Sequence, residues 1–66
     1  MQLVVNGSAR DVEAGTTMPQ LIESLGLRVG SVVVEHNGTA LLRAEVRAAV
    51  LADGDRLELV RAVAGG

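Results

Sequence analysis

"AGTTMPQLIESLGL", residues 14–27, holds the clearest helical period in this chain of 66 residues. Met18, Leu21, Ile22 and Leu25 fall at i, i+3, i+4 and i+7, which places them on one face of a helix. Thr16 or Thr17 is positioned to cap its start through a side-chain oxygen. Pro19 then stands in the first turn, where its missing N–H costs nothing, and Gly26 is the natural stop. A helix over 17–26 with a single apolar face must pack on something.

The flanking segments read as strands. Leu3 to Val5 favours β structure, and Asn6-Gly7 behind it is a strong two-residue hairpin signal because both positions tolerate positive φ. A second strand is expected to return through 9–13. Downstream, Ser31 to His36 forms a third strand, and Asn37-Gly38 turns it into a short fourth one around 39–42. Residues 43–51 form a short helix or 3₁₀ segment without a clean cap. Asp53-Gly54-Asp55 is a turn. The last strand runs from 56 to about 62, with Leu57 and Leu59 pointing one way and Glu58, Val60 and Ala62 the other. These elements make an α+β domain over 1–62: a β-grasp layout whose mixed sheet packs one face on the main helix. A parallel pairing of the first and last strands then puts residues 63–66 at the sheet's end as a flexible tail.

Composition narrows the chemistry. A chain this short is one domain with a thin margin of stability. It has no Cys, hence no disulfide and no sulfur nucleophile of its own. Its 48% hydrophobic content includes no aromatic residue, so the core must be built from Leu, Val, Ile, Met and Ala. All six basic residues are Arg, against eight carboxylates, for a net charge of -2. Nucleic acid is not an expected partner, since neither a basic face nor stacking aromatics are present. Without Lys there is no P-loop, so any nucleotide must be handled by another protein. The first residues carry no basic leader, and no run approaches the ~20 apolar residues of a membrane span; a soluble, cytoplasmic protein is expected. His36, the lone histidine, fits a role beside a turn better than a catalytic or metal-binding one, because no triad or ligand spacing accompanies it. Asp53 and Asp55 around Gly54 lack the remaining ligands of a calcium loop and read as turn chemistry.

Taken in order, "LVVNG" (3–7), "AGTTMPQLIESLGL" (14–27), "VVVEHNGTALLRAEV" (32–46) and "DGDRLELVRAVAGG" (53–66) resemble the ThiS family of bacterial sulfur carriers over nearly the whole chain. Three positions depart from that pattern: members often have Pro where Leu42 stands, an aromatic where Val46 stands, and an apolar residue where His36 stands. The resemblance implies a ubiquitin-like β-grasp fold and a carrier that is not itself an enzyme and binds no cofactor. It implies that the α-carboxyl of Gly66 is adenylated by a ThiF-like partner using ATP. A persulfide-bearing sulfur donor then replaces the AMP, and the resulting thiocarboxylate is delivered to thiazole synthase for thiamine biosynthesis.

Elementary chemistry fits that expectation. An α-carboxyl group has a pKa of about 3.3–3.7, so at neutral pH it is an anion and a poor electrophile until activated. Two glycines, Gly65 and Gly66, pass through a narrow channel that any side chain would block. If Val63, Ala64, Gly65 and Gly66 are extended, they reach roughly 13 Å past the fold. Val60 and Ala62 on the outer face of the last strand are candidates for a partner-binding patch, with Arg61 and Arg43 as rim contacts. Composition does not separate a thiamine carrier from one serving molybdopterin or cysteine synthesis. Nor does it separate a carrier from a ubiquitin-like modifier that links its glycine to target lysines, or from a plain interaction domain.

Overall fold

In the computed structural model, which describes residues 1–62, the helical stripe becomes α1 (Met18–Ser24). Thr17 is its cap. The Gln20 N–H donates to Thr17 Oγ1 at 3.2 Å and the Thr17 N–H donates to Gln20 Oε1 at 3.0 Å, a reciprocal box that satisfies two end groups at once. The neighbouring Thr16 instead donates its hydroxyl to the Glu13 carbonyl at 2.7 Å. Met18, Leu21 and Ile22 are completely buried. The helix stops two residues before the expected end, and Gly26, at φ 77°, turns the chain out of it.

The strands are β1 (Gln2–Val5), β2 (Ser8–Asp11), β3 (Val32–His36), β4 (Thr39–Ala40) and β5 (Arg56–Arg61). They form one sheet in the order β2-β1-β5-β3-β4. β5 runs parallel to β1, with Val4 opposite Arg56 and Val5 opposite Leu57, while the other pairings are antiparallel. This is the expected mixed-sheet, ubiquitin-like β-grasp, and its last strand lies at the centre.

Differences from the sequence reading are local. β2 ends at Asp11 rather than 13, and all four of its residues are exposed, so no apolar face extends it. β4 keeps only two residues. A 3₁₀ turn over Val29–Ser31, absent from the sequence reading, joins α1 to β3. The 43–51 segment becomes α2 (Arg43–Ala48), and its missing cap is supplied from inside the helix: Glu45 Oε1 accepts the Leu42 N–H at 2.7 Å.

Both helices pack on the sheet face that carries Leu3, Val5, Val34, Leu57 and Leu59, and Val46 and Leu51 close the remaining space. Burying each such side chain contributes about 1.5–3 kcal/mol, which lets an aliphatic core without rings hold so short a chain together. Val46, where the family often has an aromatic, is 3% exposed. Among the described residues no helix is long and apolar enough to cross a membrane.

Candidate functional site

The candidate site is the far end of β5, and its character depends on how the rest of that strand is held. Asn6 and Asn37 begin the two Asn-Gly turns with φ of 50° and 51°, the left-handed conformation such turns require. Each also reaches β5 with its side chain. Asn6 Oδ1 accepts the Leu59 N–H at 2.7 Å and its Nδ2 donates to the Leu59 carbonyl at 3.2 Å, replacing a strand partner where β1 has turned away. Asn37 Oδ1 accepts the Arg56 N–H at 2.8 Å.

Asp55, immediately before β5, is the hub of the strand's entry. Its carboxylate accepts hydrogen bonds from His36 Nε2 at 2.8 Å, Asn37 Nδ2 at 3.0 Å and the Ala52 N–H at 2.8 Å. Burial alone would push this carboxyl up, but the bonds from Asn37, Ala52 and His36, with the attraction of the His36 charge, hold it below the ordinary aspartate value of 3.8. His36 is therefore a structural partner of Asp55. Asp53 does turn work as well, its Oδ1 accepting the Gln2 N–H at 2.7 Å. Among the described residues no group of three or more His, Asp or Glu side chains gathers as a metal site.

At the exit the strand is held by its backbone, Arg61 lying opposite Val32. Val60 is 61% exposed on the outer face of the sheet, directly opposite Val33, itself 55% exposed. Leu42, at the start of α2, is 72% exposed. Val33 and Val60 thus form a cross-strand apolar pair with water on it. The expected patch omitted Val33, whose place opposite Val60 depends on the β3–β5 register. Two residues along, Glu35 stands opposite Glu58, and the two line a shallow cleft with Asn37, Gly38 and Arg56.

Arg61 is not on the Val60 face. Successive strand residues point to opposite sides, and Arg61 falls on the helix side, where it lines a cleft of about 270 Å³ with Gly26, Leu27, Arg28, Ser31 and Ala62. Arg43 reaches the same margin from α2, its guanidinium donating to the Gly30 carbonyl at 3.5 Å. The Ala62 N–H donates to the Ser31 carbonyl at 2.7 Å. The residues expected at the site therefore divide between two faces: Val60 on the outer one, Arg61 and Ala62 at the helix-side cleft with Arg43 nearby. Val63, Ala64, Gly65 and Gly66 lie outside the described residues.

The chain is similar to proteins with named roles. It is 37% identical over 62 residues to the sulfur carrier protein ThiS of Thermus thermophilus, covering 94% of this chain and 95% of that protein. It is 36% identical over all 66 residues to a thiazole synthase of Magnetococcus marinus and 35% identical to one of Paramagnetospirillum magneticum, and it spans only 20% of the length of each. The crystal structure of the thiamine biosynthesis protein ThiS from Geobacter metallireducens superposes with a TM-score of 0.82 at 32% identity, over the whole of both chains. A model of the ThiS family matches residues 3–66, the closing glycines included. With this fold, this strand order and that match, the chain belongs to the ThiS family.

Proposed function

We propose that the chain is a sulfur carrier for thiamine biosynthesis and that the carboxyl carbon of Gly66 is its working atom. The observation that carries the reading is the family match running through Gly66, five residues past the last residue of the central strand β5. In the mature carrier the Gly66 carboxyl must be free. It attacks the α-phosphorus of ATP on a ThiF-like adenylating enzyme, releasing pyrophosphate and leaving an acyl-adenylate. The terminal sulfur of a partner's persulfide attacks the carbonyl carbon and AMP departs. Cleavage of the remaining S–S bond by a thiolate then frees the thiocarboxylate. Because the chain has no Cys, every thiol in the sequence of steps belongs to a partner.

The carrier performs none of these steps catalytically and holds no cofactor; ATP stays with the activating enzyme. Its own contribution is recognition. Val33 and Val60 offer the apolar centre of a docking face, and burying such a pair in a partner adds affinity while excluding water from the acyl-adenylate. The thiocarboxylate sulfur is then a soft nucleophile presented to thiazole synthase in the cytoplasm. Two thiazole synthases that contain a segment similar to this chain support the thiamine reading over the molybdopterin and cysteine ones.

Adenylation tests the proposal. With ATP and a ThiF-type enzyme, pyrophosphate release should depend on the chain and stop when Gly66 is deleted. Pyrophosphate release that continues unchanged with the deleted chain contradicts the assignment.

A further inference from the structure

We propose that the cleft between the end of α1 and the end of β5 is a seat for acidic side chains of the enzyme that adenylates the chain. The inference rests on the carrier reading above and adds the chemistry of the partner's surface. Arg28 and Arg61 line the cleft, and Arg43 is tethered beside it through Gly30. Half of the six arginines therefore gather at one margin of a molecule whose net charge is -2.

Arg43 has an internal partner in the Gly30 carbonyl; for Arg28 and Arg61, internal explanations among the described residues fail in turn. The ion pairs among the described residues are Met1 with Asp11 and His36 with Asp55, so none of the three guanidiniums has a carboxylate within 4.0 Å there. The carbonyls of Ile22 and Glu23 near the end of α1 do not need them as caps, because Ile22 accepts the N–H groups of Leu25 and Leu27 and Glu23 accepts that of Gly26. Core packing does not need them either, since Arg28, Arg43 and Arg61 are all exposed.

What remains is an outward-facing pair of planar, always-charged donors across an open cleft, a shape and charge that match carboxylates. Location selects their source. Ala62 lines the cleft, four residues before Gly66, so a protein that takes hold of the carboxyl end works close to this margin in the sequence. Charges at such a rim act on encounter and binding and leave the chemical step alone.

The test uses the full chain and chain-dependent pyrophosphate release by a ThiF-type enzyme. Arg28→Glu and Arg61→Glu are made singly and together and compared with Arg10→Glu, which carries the same charge change on the edge strand β2. The double reversal is expected to raise KM about tenfold or more, hold kcat, and flatten the salt dependence of kcat/KM, with Arg10→Glu within about twofold of the parent. Should the double reversal fail to fold, Arg28→Gln/Arg61→Gln is expected to move KM in the same direction by a smaller factor. A KM within about twofold of the parent in the folded cleft variant, or a shift no larger than that of Arg10→Glu, overturns the seat. An unsubstituted chain that is never adenylated overturns the carrier reading itself, so the two failures are distinct.

Discussion

Arg56 enters β5 with its N–H held by Asn37, next to an Asp55 buried under three hydrogen bonds. Arg61 and Ala62 leave the same strand with exposed side chains and no charged partner among the described residues. The two ends belong to one strand of six residues, yet their side chains are used differently. At the entry Asp55, Asn37 and the Arg56 N–H are spent on the fold; at the exit the Ala62 N–H is still held by the Ser31 carbonyl, but the Val60 and Arg61 side chains stand exposed. A domain with so small a core gains from this division, because binding residues that carry no folding load can be exposed without loss of stability.

The sharpest way to break that comparison is at the carboxyl end. Deleting Gly66 is expected to abolish adenylation and sulfur loading while leaving the thermal midpoint where it was; a fall in the midpoint would make the exit a structural element like the entry. Next in size is Leu57→Ala, close to the strand's start and 1% exposed. It should cost about 2–5 kcal/mol by urea unfolding, a large share of the stability of a chain this short.

Asp55→Ala strands the Ala52 N–H and the Asn37 amide and should cost about 2–3 kcal/mol, again without touching the residues at the exit. The carboxyl also predicts a pH signature. It releases its proton at lower pH when folded than when unfolded, so below the ordinary value of 3.8 the unfolded chain binds more protons. Its contribution is complete above that pH and fades as pH falls through the lower folded value. The urea midpoints of the parent and Asp55→Asn should therefore differ near neutrality and converge in acid; a gap that widens in acid would reverse the assignment. The smallest effect on stability belongs to Val60→Asp, expected within about 0.5 kcal/mol of the parent while KM for the adenylating partner rises. Unchanged adenylation and sulfur-transfer rates in Val60→Asp would remove the outer face from the docking surface.

Local signals made most of the fold legible. The Met18, Leu21, Ile22 and Leu25 spacing, the two Asn-Gly pairs and the Leu57/Leu59 alternation each act within a few residues of chain, and each formed the element expected of it. The missed features depend on distance. Asn6 meets Leu59 across 53 residues and Asp55 meets His36 across 19, separations that no local pattern encodes. Val33 joins Val60 only once the register is set, and Arg28 joins Arg61 only because the 3₁₀ turn brings the end of α1 beside the end of β5. Alternation along β5 by itself sets Arg61 on the side away from Val60. The carboxyl proposed to do the work, that of Gly66, was reached by a different route: the resemblance of residues 53–66, with the rest of the chain, to the ThiS family.

Intact-mass analysis of the full chain after incubation with ATP, a ThiF-type enzyme and a persulfide donor tests the central claim most directly. The account predicts a gain equal to one sulfur replacing one oxygen, located by fragmentation at Gly66 and absent from the chain lacking that residue. A mature protein that continues past Gly66, or a sulfur adduct located anywhere else in the chain, would contradict it.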